Sequence, residues 1–300
     1  MEFVDILLKR IEGENELKRP VNALICFSKV KTGKALGALM NKMVRFRPDK
    51  SSVTLLNLID AEQAKHIQDE NTYKSELFSD IIQLSEANKL SVRTFVKQSE
   101  NYVEDILRTA EEYNCNLVLL GIGSSVFNSS LWHKYLKLRE DNNLPEAALQ
   151  QLDEKAASSL NNVSTLLARN KLSTGIFVEN NYLDTNQLFV PILYKEDAYS
   201  FPYFYQMAKN PDVTVTVWDA IGLMESDQKF QKLFQFIAKK TDGRVKLWDN
   251  NKKIELNFIQ QQDLMIIGFN GWEKLIGSPL SWTHCLPSVL IIKDNKQTLI

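Results

Sequence analysis

Apolar positions along this chain alternate between two rhythms. Short runs dominated by apolar and β-branched residues stand at 22–27, 52–59, 91–96 and 116–120. Runs of this length predict buried or half-buried strands. Between them, apolar residues recur at helical spacing. Leu36, Leu39, Met40 and Met43 stand at i, i+3, i+4 and i+7 within 35–44, and Leu77, Phe78, Ile81, Ile82 and Leu84 mark a helix over 72–87. A helix over 102–113 carries Val103, Ile106, Leu107 and Ala110 on one face. Either Ser99 or Asn101 can cap it, because a side-chain oxygen there accepts a free N–H of the first turn. Strands separated by helices of this length imply a parallel sheet with right-handed crossovers. The second half repeats the order, with strands at 187–193, 213–218, 244–248, 263–267 and 288–293 and helices at 199–209 and 226–239.

The halves also echo each other in wording. Ser52-Val53-Thr54-Leu55 answers Asp212-Val213-Thr214-Val215, and Asn116-Leu117-Val118-Leu119-Leu120-Gly121 answers Asp263-Leu264-Met265-Ile266-Ile267-Gly268. Thr174-Gly175-Ile176-Phe177-Val178-Glu179-Asn180 answers Ser288-Val289-Leu290-Ile291-Ile292-Lys293-Asp294. This is the signature of an internal repeat. The spacing predicts two five-stranded α/β units, the first over 20–185 and the second, shorter, over 186–300, with 180–186 as the linker. The first copy carries an insert over about 128–172, in which 145–152 and 156–167 can form helix. In the second copy the crossover before the fourth strand shrinks to the polar stretch 250–262.

Residues 1–19 read as an amphipathic leader. Phe3, Ile6, Leu7 and Ile11 fall on one stripe, flanked by Lys9, Arg10, Lys18 and Arg19. Residues 1–50 hold 11 Lys/Arg against 6 Asp/Glu, although the whole chain carries a net charge of only −1. The overall neutrality removes any general electrostatic case for nucleic acid. The basic leader can meet an anionic membrane surface, where each charge is worth about 1 kcal/mol, or it can simply face solvent. No run of about 20 apolar residues stands in the chain, so it predicts no membrane-spanning helix. Cys26, Cys115 and Cys285 lie far apart in or beside apolar runs and read as reduced core thiols.

A search for catalytic chemistry finds little. His66, His133 and His284 lack partners at metal-ligand spacing, and the nucleophile pattern GxSxG is absent. Thr32-Gly33-Lys34 looks like the end of a phosphate-binding loop, but Ala35 stands where a Ser or Thr would hold magnesium. The sequence therefore predicts no enzyme and no metal site. What remains is a pair of small-residue turns after each fourth strand. They comprise Gly121, Gly123, Ser124 and Ser125 in the first copy, and Gly268, Gly271, Gly277 and Ser278 in the second. Loops at the carboxyl ends of parallel strands are where α/β sheets bind ligands, and exposed N–H groups with serine hydroxyls can hold phosphate. The plainer reading is that these residues only turn the chain.

The series Gly268-Phe269-Asn270-Gly271, then Gly277-Ser278, then Pro287-Ser288-Val289-Leu290-Ile291-Ile292 resembles the end of a universal stress protein domain. ATP-binding members carry a longer spacing between the second glycine and the Gly-Ser pair, and an acidic residue at the end of the first strand, where this chain has Ser28 or Lys29 and Tyr194 or Lys195. The first copy has Ser124 where the second glycine belongs. The resemblance thus implies weak nucleotide binding at most. Two degenerate copies in tandem, with a long insert in the first and a basic leader, resemble the cytosolic C-terminal region of bacterial sodium/hydrogen antiporters. That resemblance implies an α/β fold of two Rossmann-like units, each a five-stranded parallel sheet, related by a pseudo-twofold axis with their fifth strands antiparallel. It also implies a regulatory domain on the cytoplasmic face of the inner membrane, partnered by a transmembrane antiporter domain of the same gene product, with no nucleic acid partner and with homodimers allowed. The alternative is a free-standing tandem universal stress protein that binds ATP or another nucleotide.

Overall fold

A computed structural model of the chain describes residues 3–12, 20–43, 50–123 and 154–294. The first unit opens with helix α1, Phe3–Glu12, followed by β1 (Asn22–Cys26), α2 (Val30–Met43) and β2 (Ser52–Ile59). It continues through α3 (Ala61–His66), α4 (Glu70–Ala87), β3 (Ser91–Gln98), α5 (Tyr102–Glu112), β4 (Leu117–Gly123), α6 (Glu154–Arg169) and β5 (Ser173–Glu179). The second unit runs β6 (Gln187–Ile192), a 3-10 turn (Lys195–Ser200), α7 (Phe201–Met207), β7 (Thr214–Asp219), α8 (Leu223–Ser226), α9 (Gln228–Lys240) and β8 (Val245–Leu247). It ends with α10 (Leu256–Gln260), β9 (Leu264–Gly268), α11 (Phe269–Ile276), a short 3-10 turn (Ser281–His284) and β10 (Ser288–Lys293).

All ten strands form one sheet in the order β3-β2-β1-β4-β5-β10-β9-β6-β7-β8. Read inward from either edge, each unit has the same order and is parallel throughout. The two meet where β5 and β10 pair antiparallel, Ile176 opposite Ile291 and Phe177 opposite Leu290. This is the expected seam, and it places the pseudo-twofold axis among those four residues. Both ends of the seam close alike. The Ser288 hydroxyl accepts the Asn180 N–H at 2.9 Å, and the Ser173 hydroxyl donates to Asp294.

Successive strand residues point to opposite faces, and both faces are covered. On one face Ala23, Ile25, Leu119, Phe177, Val190, Ile266 and Leu290 join a single core with residues of α1, α2, α4, α7 and α9. α2 of the first unit thereby packs on α7 of the second. On the other face Leu24, Cys26 and Val118 pack with α5, while Phe189, Met265, Val289 and Ile291 pack with α11. α6 bridges these two cores, with Leu166 in one and Val163 and Leu167 in the other.

Several expectations are refined. Asn101, not Ser99, caps α5 by accepting the Glu104 N–H at 3.2 Å; Ser99 donates instead to Asp105. Helix α3, capped reciprocally by Asp60 and Gln63, has no counterpart in the sequence reading. The polar stretch 250–262 contains α10, anchored by buried Ile259. β4 does not stop before the glycines but pairs with β5 as far as Gly123 opposite Glu179. Of the two helical stretches expected in the insert, 156–167 falls in α6, and 145–152 lies outside the described residues. Cys26 and Cys115 are buried, with their thiols pushed up by desolvation, but Cys285 is exposed rather than a core residue.

The described part of the leader packs on the second unit. Val4, Leu7 and Ile11 are buried in the core shared with α7 and α9 of the second unit, and Asp5 pairs with Lys229 of α9 at 3.3 Å. These three apolar positions of α1 are therefore engaged inside the protein. No helix among the described residues is long and apolar enough to cross a membrane.

Candidate functional crevices

In a doubly wound sheet the ligand crevice opens beyond the carboxyl ends of the strands, where the winding reverses. Here that place occurs twice, between β1 and β4 and between β6 and β9. The antiparallel seam points the two crevices to opposite ends of the sheet.

In the first crevice Gly121 and Gly123 are strand residues within β4, and Ser124 and Ser125 lie outside the described residues. The chain after β1 turns at Phe27 and enters α2. An added Cβ at Gly121 would stand 2.6 Å from the Thr32 methyl, and one at Gly33 would stand 2.3 Å from the Phe27 ring. Phe27 is 4% exposed and meets Phe78 edge-on at 5.8 Å. The glycines are thus small because a phenyl ring and a methyl group fill the space above them. Two cations nearby are engaged. Lys31 pairs with Glu179 at 3.0 Å, and Lys34 pairs with Asp80 at 2.7 Å. Thr32-Gly33-Lys34 accordingly lies in the first turns of α2 as packing, with Thr32 and Gly33 buried.

In the second crevice β9 runs straight into α11. Gly268 is the residue before the helix, and Gly271 lies in its first turn. Gly277 and Ser278 are at the other end, roughly 12 Å along the axis at 1.5 Å per residue. There Gly277 donates to Glu273, and the Ser278 N–H and hydroxyl both donate to the Leu275 carbonyl. The four residues grouped by the sequence therefore divide into two pairs, one at each end of a helix.

The space at the first pair is occupied by a residue that the sequence reading passed over. Asp197, in the 3-10 turn after β6, is 1% exposed. One carboxylate oxygen, Oδ2, accepts the N–H groups of Leu193 and Tyr194, each at 2.8 Å, and the other, Oδ1, accepts the N–H of Gly271 at 3.2 Å. A Cβ at Gly268 or Gly271 would come within 2.3 Å of a carboxylate oxygen. Burial raises the carboxyl pKa above the usual range, against the three backbone donors, which favour the ionised form. Lys274 reaches over the same edge, its Nζ 3.4 Å from the Leu193 carbonyl and 4.9 Å from the centre of the Tyr194 ring. Asp197 lies within the charged series Lys195-Glu196-Asp197, which reads as a solvated turn; only its position three residues after a possible cap at Tyr194 sets it apart. Among the described residues, no group of three or more His, Cys, Asp or Glu side chains could hold a metal ion.

No protein-family model matches this chain, and no curated protein does. Among solved structures, the chain is similar to a universal stress protein from Archaeoglobus fulgidus DSM 4304, with 12% identity, a TM-score of 0.46, and coverage of 90% of this chain and 97% of that one. It is also similar to a functionally unknown protein from Pseudomonas aeruginosa PAO1, with 10% identity, a TM-score of 0.46, and coverage of 93% and 94%. Its own strand order, repeated in both halves and joined through an antiparallel seam, makes the chain a tandem of two doubly wound α/β units.

Proposed function

We propose that this chain is a non-enzymatic regulatory domain, built from two degenerate universal stress protein-like units, that serves as the cytoplasmic part of a cation/proton antiporter. The observation that supports the regulatory, non-binding part is that, among the described residues, the space beside the glycines of both crevices is taken by the chain's own side chains: Phe27 and Thr32 in one, Asp197 in the other. A nucleotide phosphate needs several free N–H donors and a close backbone approach. In the second crevice the N–H of Gly271 is already engaged by a carboxylate, and in the first the described space beside Gly121 and Gly33 is apolar. The antiporter assignment draws its support from the sequence resemblance and from the basic leader.

Two measurements test this. Calorimetry with ATP and AMP should show no binding tighter than about 100 μM, an interaction of only roughly 5–6 kcal/mol. Micromolar binding to the natural chain would favour the free-standing nucleotide-binding alternative. Everted vesicles from cells making the full-length gene product, with and without residues 20–294, should both exchange cations for protons. The pH or cation dependence of that exchange should shift by about fivefold, the lower end of typical coupling between sites. Superimposable transport curves, or a gene product without membrane spans, would overturn the antiporter assignment.

A further inference from the structure

The structure assigns to Asp197 the part of a built-in anionic ligand: its carboxylate occupies an oxyanion seat in the second unit and so determines that this unit takes no external one. The inference deepens the closed-crevice reading and rests on it. Three observations converge. The carboxylate is buried and held by backbone N–H groups from two separate segments, the loop following β6 and the first turn of α11. Gly268 at the end of β9 and Gly271 in the first turn of α11 leave room that its oxygens fill, since a Cβ at either would approach one within 2.3 Å. In the first unit the described space beside Gly121 and Gly33 is filled as well, but by a methyl group and a phenyl ring. The second unit has therefore kept an arrangement that recognises an oxyanion and supplies that oxyanion from its own chain. The chemistry that would replace Asp197 is a small carboxylate or a phosphate oxygen.

Asp197→Gly removes the internal ligand and tests the seat directly, with sodium formate and sodium phosphate as probes and sodium chloride at matched ionic strength as the control. The natural chain should respond to all three salts alike. The melting temperature of D197G should fall and then recover with formate or phosphate, but not with chloride, in a saturable way on the order of 10 mM. If D197G folds with the native circular dichroism and formate shifts it no more than chloride does, the assignment is overturned. If D197G does not fold, Asp197→Asn decides. The amide can still present an oxygen to Leu193 and Tyr194, but it turns an NH2 toward Gly271. Hydrogen exchange at the Gly271 amide should then rise about tenfold while Leu193 stays protected; unchanged exchange at Gly271 would overturn the assignment. The two proposals fail separately. An unresponsive D197G leaves the regulatory reading standing, because a crevice closed for any reason satisfies it. Unaltered transport in vesicles leaves the role of Asp197 standing.

Discussion

The two crevices share a topology and differ in what fills them, and that difference separates two reasons for a glycine. In the first unit Gly121 and Gly33 yield space to hydrocarbon, the Thr32 methyl and the Phe27 ring. In the second, Gly268 and Gly271 yield space to a charge. A glycine-rich turn at the end of a fourth strand is thus compatible with opposite local chemistries, and only its neighbour across the crevice tells them apart. Hydrocarbon can be trimmed at the cost of a cavity, whereas a buried carboxylate loses its compensation once a donor is displaced.

The sharpest way to break the comparison is to empty the first crevice. Phe27→Ala should lower stability by about 3–5 kcal/mol, read from the denaturation midpoint in urea, because a buried ring is removed from a packed core. Gly271→Ala comes next, at about 2–3 kcal/mol, since the new methyl must push the Asp197 carboxylate off its donors. A near-neutral outcome there would mean that the carboxylate moves aside freely and that the second crevice is not closed. Gly121→Ala should cost less, about 1–2 kcal/mol, because only the Thr32 methyl stands in the way at 2.6 Å. Adding Thr32→Ser removes that methyl, and the double variant should recover most of the loss in a double-mutant cycle.

Two carboxylates sharpen the comparison through pH. Burial alone would raise the Asp105 pKa, but hydrogen bonds from Lys97, Ser99 and Arg108 and the charge of Lys97 outweigh it and hold the carboxyl below the usual range. Its stabilisation is present above the ordinary carboxylate range and is lost as pH falls through the lowered value. Asp197 has the opposite sign. Its raised value means that the folded chain binds the proton more tightly than the unfolded chain, so its contribution to stability declines as pH rises from the ordinary range through the raised value. Melting curves of D105N and D197N from pH 3 to 7 should therefore diverge from the natural chain in opposite directions. The smallest effect belongs to Gly277→Ala, expected within about 0.5 kcal/mol. Its φ is −72°, and the nearest atom to an added Cβ is 3.2 Å away, so this glycine marks a helix end and nothing more.

Most of the fold was legible because the strands and helices of both copies declare themselves locally. Apolar runs around 116–120 and 263–267 give one period, and Phe230, Leu233, Phe234 and Ile237 give the other. The repeat marked residues 174–180 and 288–294 as counterparts, and the resemblance implied that these two strands meet antiparallel, as they do. What stayed hidden depended on partners far away in sequence. α1 is amphipathic from any viewpoint, but only the folded chain shows Leu7 and Ile11 buried against helices of the second unit rather than available to a surface. The glycines of β4 look like a strand end until β5 is seen pairing alongside them. Asp197 was least legible, because no period or motif distinguishes a carboxylate that folds inward from two charged neighbours that do not.

The seam also has a consequence for the order in which the molecule can be made. The edge of β5 is covered by β10, the last described strand of the chain, and α1, its first described element, rests on helices that belong to the second unit. At typical synthesis rates of about 5–20 residues per second, more than a hundred residues must follow β5 before its partner emerges, a delay of roughly 6–20 s. During that interval the newborn first unit carries an open, apolar strand edge through Ile176, Phe177 and Val178 and an amphipathic helix with nowhere to dock. Both are features that invite pairing with the wrong chain. A protein whose two halves finish each other is therefore most exposed to aggregation while the ribosome is still translating its second half.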